Sequence, residues 1–81
     1  MHLDLIRKLM RYGGLQIEVK EKEWFCSLAV RDPSGLISTV VYERGQKLEL
    51  VLDQLLQNAD KEYKDILERY QDSVQTELDL W

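Results

Sequence analysis

The chain has 81 residues, 44% hydrophobic and 32% charged, with one cysteine and a net charge of −4. These values fit one folded domain over residues 1–81, argue against a disordered chain and exclude an internally disulfide-stapled fold. A domain this small buries only about 60–65% of its unfolded surface, so its core is thin and an enclosed substrate pocket is not expected.

The opening residues 2–12 read as a short helix. Leu5, Ile6, Leu9 and Met10 share one apolar face, with Asp4 near the start and Arg7, Lys8 and Arg11 toward the end, as the helix dipole favours. Gly13-Gly14 stops it. Leu15–Lys20 then alternates apolar and polar residues, the pattern of a half-buried strand. Glu21–Glu23 forms a charged turn, and Trp24–Arg31 is a second strand. Asp32-Pro33-Ser34-Gly35 carries the residues of a tight turn, and Leu36–Glu43 is the third strand.

The turns predict a register. Val19 faces Trp24 and Ile17 faces Cys26; across the second turn Val30 faces Ile37, Leu28 faces Thr39 and Cys26 faces Val41. One face then holds Leu15, Ile17, Val19, Trp24, Cys26, Leu28, Val30, Ile37 and Val41, which pack on the helices. The other holds Gln16, Glu18, Lys20, Phe25, Ser27, Ala29, Arg31, Leu36, Ser38, Val40 and Tyr42. A slip of one residue inverts the two sets.

Gly45 ends the third strand. Residues 46–58 read as a helix with Leu48, Val51, Leu52, Leu55 and Leu56 on one stripe and Leu50 off it. Asn58-Ala59-Asp60 can end this helix and cap another over 61–76, whose apolar face is Tyr63, Ile66, Leu67, Tyr70 and Val74. No glycine or proline forces the break, so a single bent helix stays open. The expected fold is α+β: a two-layer α-β-β-β-α-α domain with a three-stranded antiparallel sheet and helices on one face.

The residues for catalysis are sparse. His2 is the only histidine and lies at a terminus, so Cys26 has no interior base and no zinc site can assemble. No calcium loop or glycine-rich phosphate loop occurs. The reading is therefore a non-enzymatic binding module with no cofactor and no metal. No apolar run approaches about 20 residues, so a cytoplasmic chain without membrane contact is expected.

Two surfaces are candidates for that binding. Residues 1–59 hold eight acids and eight bases, whereas residues 60–81 hold seven acids and three bases. Asp65, Glu68, Asp72 and Asp79, with Glu62 nearby, fall at helical spacings on one side. The first three are about 5–6 Å apart along a helix, on the scale of neighbouring phosphates. Such a helix suits the basic groove of a protein partner. It does not suit nucleic acid directly. Local pairs such as Asp65–Arg69 offer a plainer account, yet Asp72, Glu77 and Asp79 lie where the helix dipole disfavours acids. The second surface is the outer sheet face, where Phe25, Leu36, Val40 and Tyr42 cluster without a covering helix. It suits partner docking or a homodimer, unless charged stems screen it. Trp81 is a third, weaker candidate.

The element order resembles that of small phage-encoded anti-CRISPR proteins, the Cas9 inhibitors among them: a short first helix, three antiparallel strands, then acidic helices. Met1-His2-Leu3-Asp4-Leu5-Ile6-Arg7 and Lys61-Glu62-Tyr63-Lys64-Asp65 carry the likeness at the two ends. The resemblance implies an inhibitor in the host cytoplasm that occupies a nucleic-acid-binding groove of a larger effector. It assigns no individual residue.

Overall fold

The computed structural model describes the backbone of residues 2–79 and the side chains of residues 3–71. The elements run α1 (His2–Met10), β1 (Gly13–Lys20), β2 (Glu23–Arg31), β3 (Ile37–Gly45) and α2 (Leu48–Asp79). The strands form one antiparallel sheet in the order β1-β2-β3, with β2 at its centre. The α+β architecture is the expected one.

The core lies between the sheet and the helices. Leu9 of α1, Cys26, Leu28 and Val30 of β2, and Val51, Leu52, Leu55, Ala59 and Ile66 of α2 are all buried. Leu5, Ile6, Leu15, Trp24, Val41, Leu48 and Tyr63 pack around them half-buried. Met10, expected on the apolar face of α1, is exposed instead. Its helix ends there, and the chain turns through Tyr12, whose N–H donates to the Leu9 carbonyl at 3.0 Å.

The final two helices are one. Asn58 and Asp60, read as caps, lie mid-helix because their side chains have tertiary partners. Asn58 Nδ2 donates to Glu43 of β3, and Asp60 accepts the Tyr12 hydroxyl. A 32-residue helix is about 48 Å long, whereas a strand of nine residues spans about 30 Å. α2 therefore outruns the sheet. The radius of gyration is 15.1 Å, against about 12 Å for a compact chain of this length.

The first hairpin has the expected register, with Val19 opposite Trp24 and Ile17 opposite Cys26. The second is displaced by two residues. Val30 faces Thr39, Leu28 faces Val41 and Cys26 faces Glu43. The loop is the reason. The Asp32 carboxylate accepts the N–H groups of Ser34 at 2.9 Å and Leu36 at 3.1 Å, as well as the Ser34 hydroxyl. Asp32 N–H donates to the Leu36 carbonyl at 2.8 Å. Leu36 is thereby held in the loop instead of opening β3, and a bulge at Val30/Arg31 takes up the odd residue. The Ser34 hydroxyl first, then the backbone N–H groups, hold the Asp32 carboxyl below its ordinary value. A shift of two preserves parity, so from Thr39 to Arg44 each face keeps its residues. Three expected core residues are nonetheless exposed: Ile17, Val19 and Ile37. Ile17 and Val19 point to the helix side but lie on the edge strand β1, where no helix covers them, whereas Ile37, past the bulge, pairs with the outward Arg31 and leaves the core face.

Two glycines mark close approaches. A Cβ on Gly13 would lie 1.7 Å from the Ala29 carbonyl oxygen, and one on Gly45 would lie 2.9 Å from Val51 Cγ2. The turn between β1 and β2 lacks such provision. Glu21 and Lys22 adopt φ of 50° and 67°, the left-handed region that two-residue hairpin loops require and that Asn-Gly fills more readily. Replacing Glu21→Asn and Lys22→Gly together should stabilise the fold by about 1 kcal/mol. Thermal unfolding followed by circular dichroism measures this; an unchanged or lower midpoint would show that the turn carries no such strain.

Candidate binding surfaces

The outward face of the sheet is built in cross-strand rows. Glu18, Phe25 and Arg44 form one row, Gln16, Ser27 and Tyr42 the next, and Gly14, Ala29 and Val40 the third. Because β2 contributes only Ser27 and Ala29 to two of these rows, the β3 side chains stand above their neighbours. Tyr42 is 71% exposed and Val40 40% exposed. Phe25 is half-buried, flanked by Glu18 on one strand and Arg44 on the other, whose aliphatic stems can cover ring edges. A shallow groove of about 490 Å³ crosses this face, lined by Gln16, Glu18, Phe25, Ser27, Tyr42 and Arg44 among others. Phe25, Val40 and Tyr42 thus share one open face, as their period-two spacing predicts. Leu36 does not join them: it is 70% exposed but sits in the loop before β3. Arg44 was missed as a groove residue because the strand was expected to end at Glu43. Its period-two spacing from Tyr42 was the available signal.

The acidic side of α2 is only partly assembled. Asp65 and Glu68 are exposed. Glu62, one helical step from Asp65, is half-buried because its position lies near the Ala59–Ile66 stripe. The expected Asp65–Arg69 ion pair is replaced by a bond from Arg69 Nε to the Asp65 backbone carbonyl at 3.4 Å. The side chains of Asp72, Val74, Glu77 and Asp79, and all of Trp81, lie outside the described residues. α2 carries no basic residue in its last turn.

A third cluster ties α1 to α2. The Tyr12 and Tyr63 rings meet with centroids 5.1 Å apart and planes tilted by 58°. The Tyr12 hydroxyl donates to Asp60. That bond first, then burial and the charge of Asp60, pushes the phenol up from 10.0 to about 12. Burial likewise raises the Cys26 thiol, which faces the core. Among the described residues, no three His, Cys, Asp or Glu side chains gather as a metal site. Nor is any helix there long and apolar enough to cross a membrane. No family model, curated protein or solved structure matches the chain.

The Tyr12–Asp60 bond makes a signed prediction. A tyrosine raised in the folded state adds stability that is fully present below its unfolded value near 10 and lost as pH rises through about 12. Tyr12→Phe should cost about 1 kcal/mol at neutral pH, kept small by solvent screening, with the difference from wild type shrinking across that alkaline window. Urea titrations of both chains at stepped pH measure it, and a pH-independent difference would refute the assignment.

Proposed function

We propose that this chain is a non-enzymatic protein-binding module that docks its partner on the uncovered outer face of the sheet. The observation that carries this reading is the exposure of Tyr42 and Val40 beside Phe25 on a face that no helix covers. Tyrosine and phenylalanine supply large contact area at low entropic cost, and a shallow polar-rimmed depression beside them is the usual anatomy of a protein interface. The groove is open, which suits a protein surface better than a small substrate. Substituting Tyr42→Lys and Val40→Lys together should weaken partner binding by about 2 kcal/mol or more while leaving the melting midpoint nearly unchanged. Sedimentation of the purified chain, together with recovery of a tagged chain's partners from its own host, reads the effect. Full retention of every partner by the double variant would sink this surface.

A second reading rests on α2. Its acid-rich end outruns the sheet, and Asp65 and Glu68 stand in water. That supports an inhibitor of the anti-CRISPR kind, which lays an acidic helix in the basic, nucleic-acid-binding groove of a larger effector. Asp65→Lys with Glu68→Lys should then reduce binding to a basic partner about tenfold or more, and added salt should weaken the wild-type complex. Salt-insensitive binding, unchanged by both reversals, excludes it.

A further inference from the structure

We infer that the outer face of the sheet docks a second copy of this chain, two β2 strands crossing on a two-fold axis. This inference rests on the outer face being the docking surface and names its occupant. Charge and size are patterned across the three strands in a way that fits a two-fold pairing. A two-fold axis lying in the interface along β2 places β1 of one copy opposite β3 of the other, row by row. The row of Glu18, Phe25 and Arg44 is self-complementary under that operation. Each Glu18 meets Arg44 of the other copy, twice per dimer, with the two Phe25 rings near the axis between them. Within one chain the two charges are two strands apart, roughly 10 Å, on either side of Phe25.

Size follows the same symmetry. The large β3 residues meet the smaller β1 residues: Tyr42 opposite Gln16 and Val40 opposite Gly14. The axis passes over Ser27 and Ala29, small enough to let the two sheets approach to about 10 Å at the usual angle near −30°.

Charge also selects this face over others. The chain carries −4, so two copies repel through most approaches. The outward positions of the three strands hold two acids, Glu18 and Glu23, and three bases, Lys20, Arg31 and Arg44. Face-to-face docking joins the near-neutral surfaces and keeps the two acidic helices on opposite outer sides. Glu23 and Arg31 oppose their own copies only at the ends of the axis, where water screens them. The footprint, roughly 14 by 26 Å or about 700 Å² over both copies, falls below the size of stable specific interfaces and in the range of weak, transient ones. The dimer is therefore reversible and concentration-dependent.

The test is charge exchange between two chains, read by sedimentation velocity over a wide concentration range. The wild type should associate reversibly. Glu18→Arg alone and Arg44→Glu alone should each weaken association about tenfold or more, because both create two like-charge contacts. An equimolar mixture of the two single variants should recover near-wild-type association, since each reversed charge then meets its complement on the other chain. That recovery uses the same polypeptides that fail alone, so misfolding cannot mimic it, and a bridge within one chain cannot produce it. A wild type that stays monomeric throughout, a dimer indifferent to both single reversals, or no recovery in the mixture would each overturn the inference. If the chain is monomeric yet loses a different protein partner on Tyr42→Lys with Val40→Lys, the docking surface stands and only its occupant is wrong. If that variant loses nothing, both fall.

Discussion

The stripe Val51, Leu52, Leu55 and Ala59 of α2 lies on Cys26, Leu28 and Val30 of β2, and every other feature is arranged around that contact. All seven side chains are buried, and no buried polar side chain is found among the described residues. Ala59 and Gly45 keep the helix close: a Cβ on Gly45 would already press on Val51. A core with so few large residues concentrates its stability. Removing one leucine from such a site costs about 2–5 kcal/mol, a large share of the roughly 5–15 kcal/mol that holds a small domain together. β2 is thus covered by helix on one side and hydrogen-bonded along both edges. Its other side, with Ser27 and Ala29, is left without a layer.

Most of this arrangement was legible in the sequence because it rests on periodicity. The alternation in Leu15–Lys20 and the spacing of Leu48, Val51, Leu52 and Leu55 report directly which face is apolar, and the face assignments of Phe25, Val40 and Tyr42 follow. What was not legible depends on single side chains finding distant partners. The two-residue displacement of β3 comes from the Asp32 carboxylate gathering the Ser34 and Leu36 amides into a longer loop. Turn propensity could not distinguish that from a tight turn, since the same residues favour both. The continuity of α2 through Asn58 and Asp60 has the same origin. Both are good capping residues in isolation, but here Glu43 and Tyr12 claim their side chains. The exposure of Ile17 and Val19 was hidden for a different reason: alternation tells which side a residue faces but not how far the covering helix extends.

The polar ties at Asn58 and Asp60 also locate the end of support for α2. They fasten the helix to β3 and to the turn after α1, and Ile66 is the last buried residue described. Beyond it the helix continues to Asp79. Negative charge near a helix C-terminus opposes the dipole by a few tenths of a kcal/mol per residue, so helix stability does not account for acids at Asp72, Glu77 and Asp79.

The two exposed surfaces differ in what they can contribute to binding. Carboxylates in water are already well solvated, and an exposed ion pair returns about 0–1 kcal/mol, much of it screened by salt. The acid-rich end of α2 can therefore steer a basic partner and set its orientation, but it supplies little affinity alone. Tyr42 and Val40 are in the opposite position. Apolar area in water gains about 25 cal/mol for each Å² removed, and aromatic rings that meet gain somewhat more. The sheet face thus holds a driving force for burial, and its flanking Glu18 and Arg44 can select the register in which burial occurs. Affinity from the sheet and orientation from charge are separable contributions. Among the described residues, Asp65 and Glu68 lie on the helix layer, and Tyr42 and Val40 on the sheet layer.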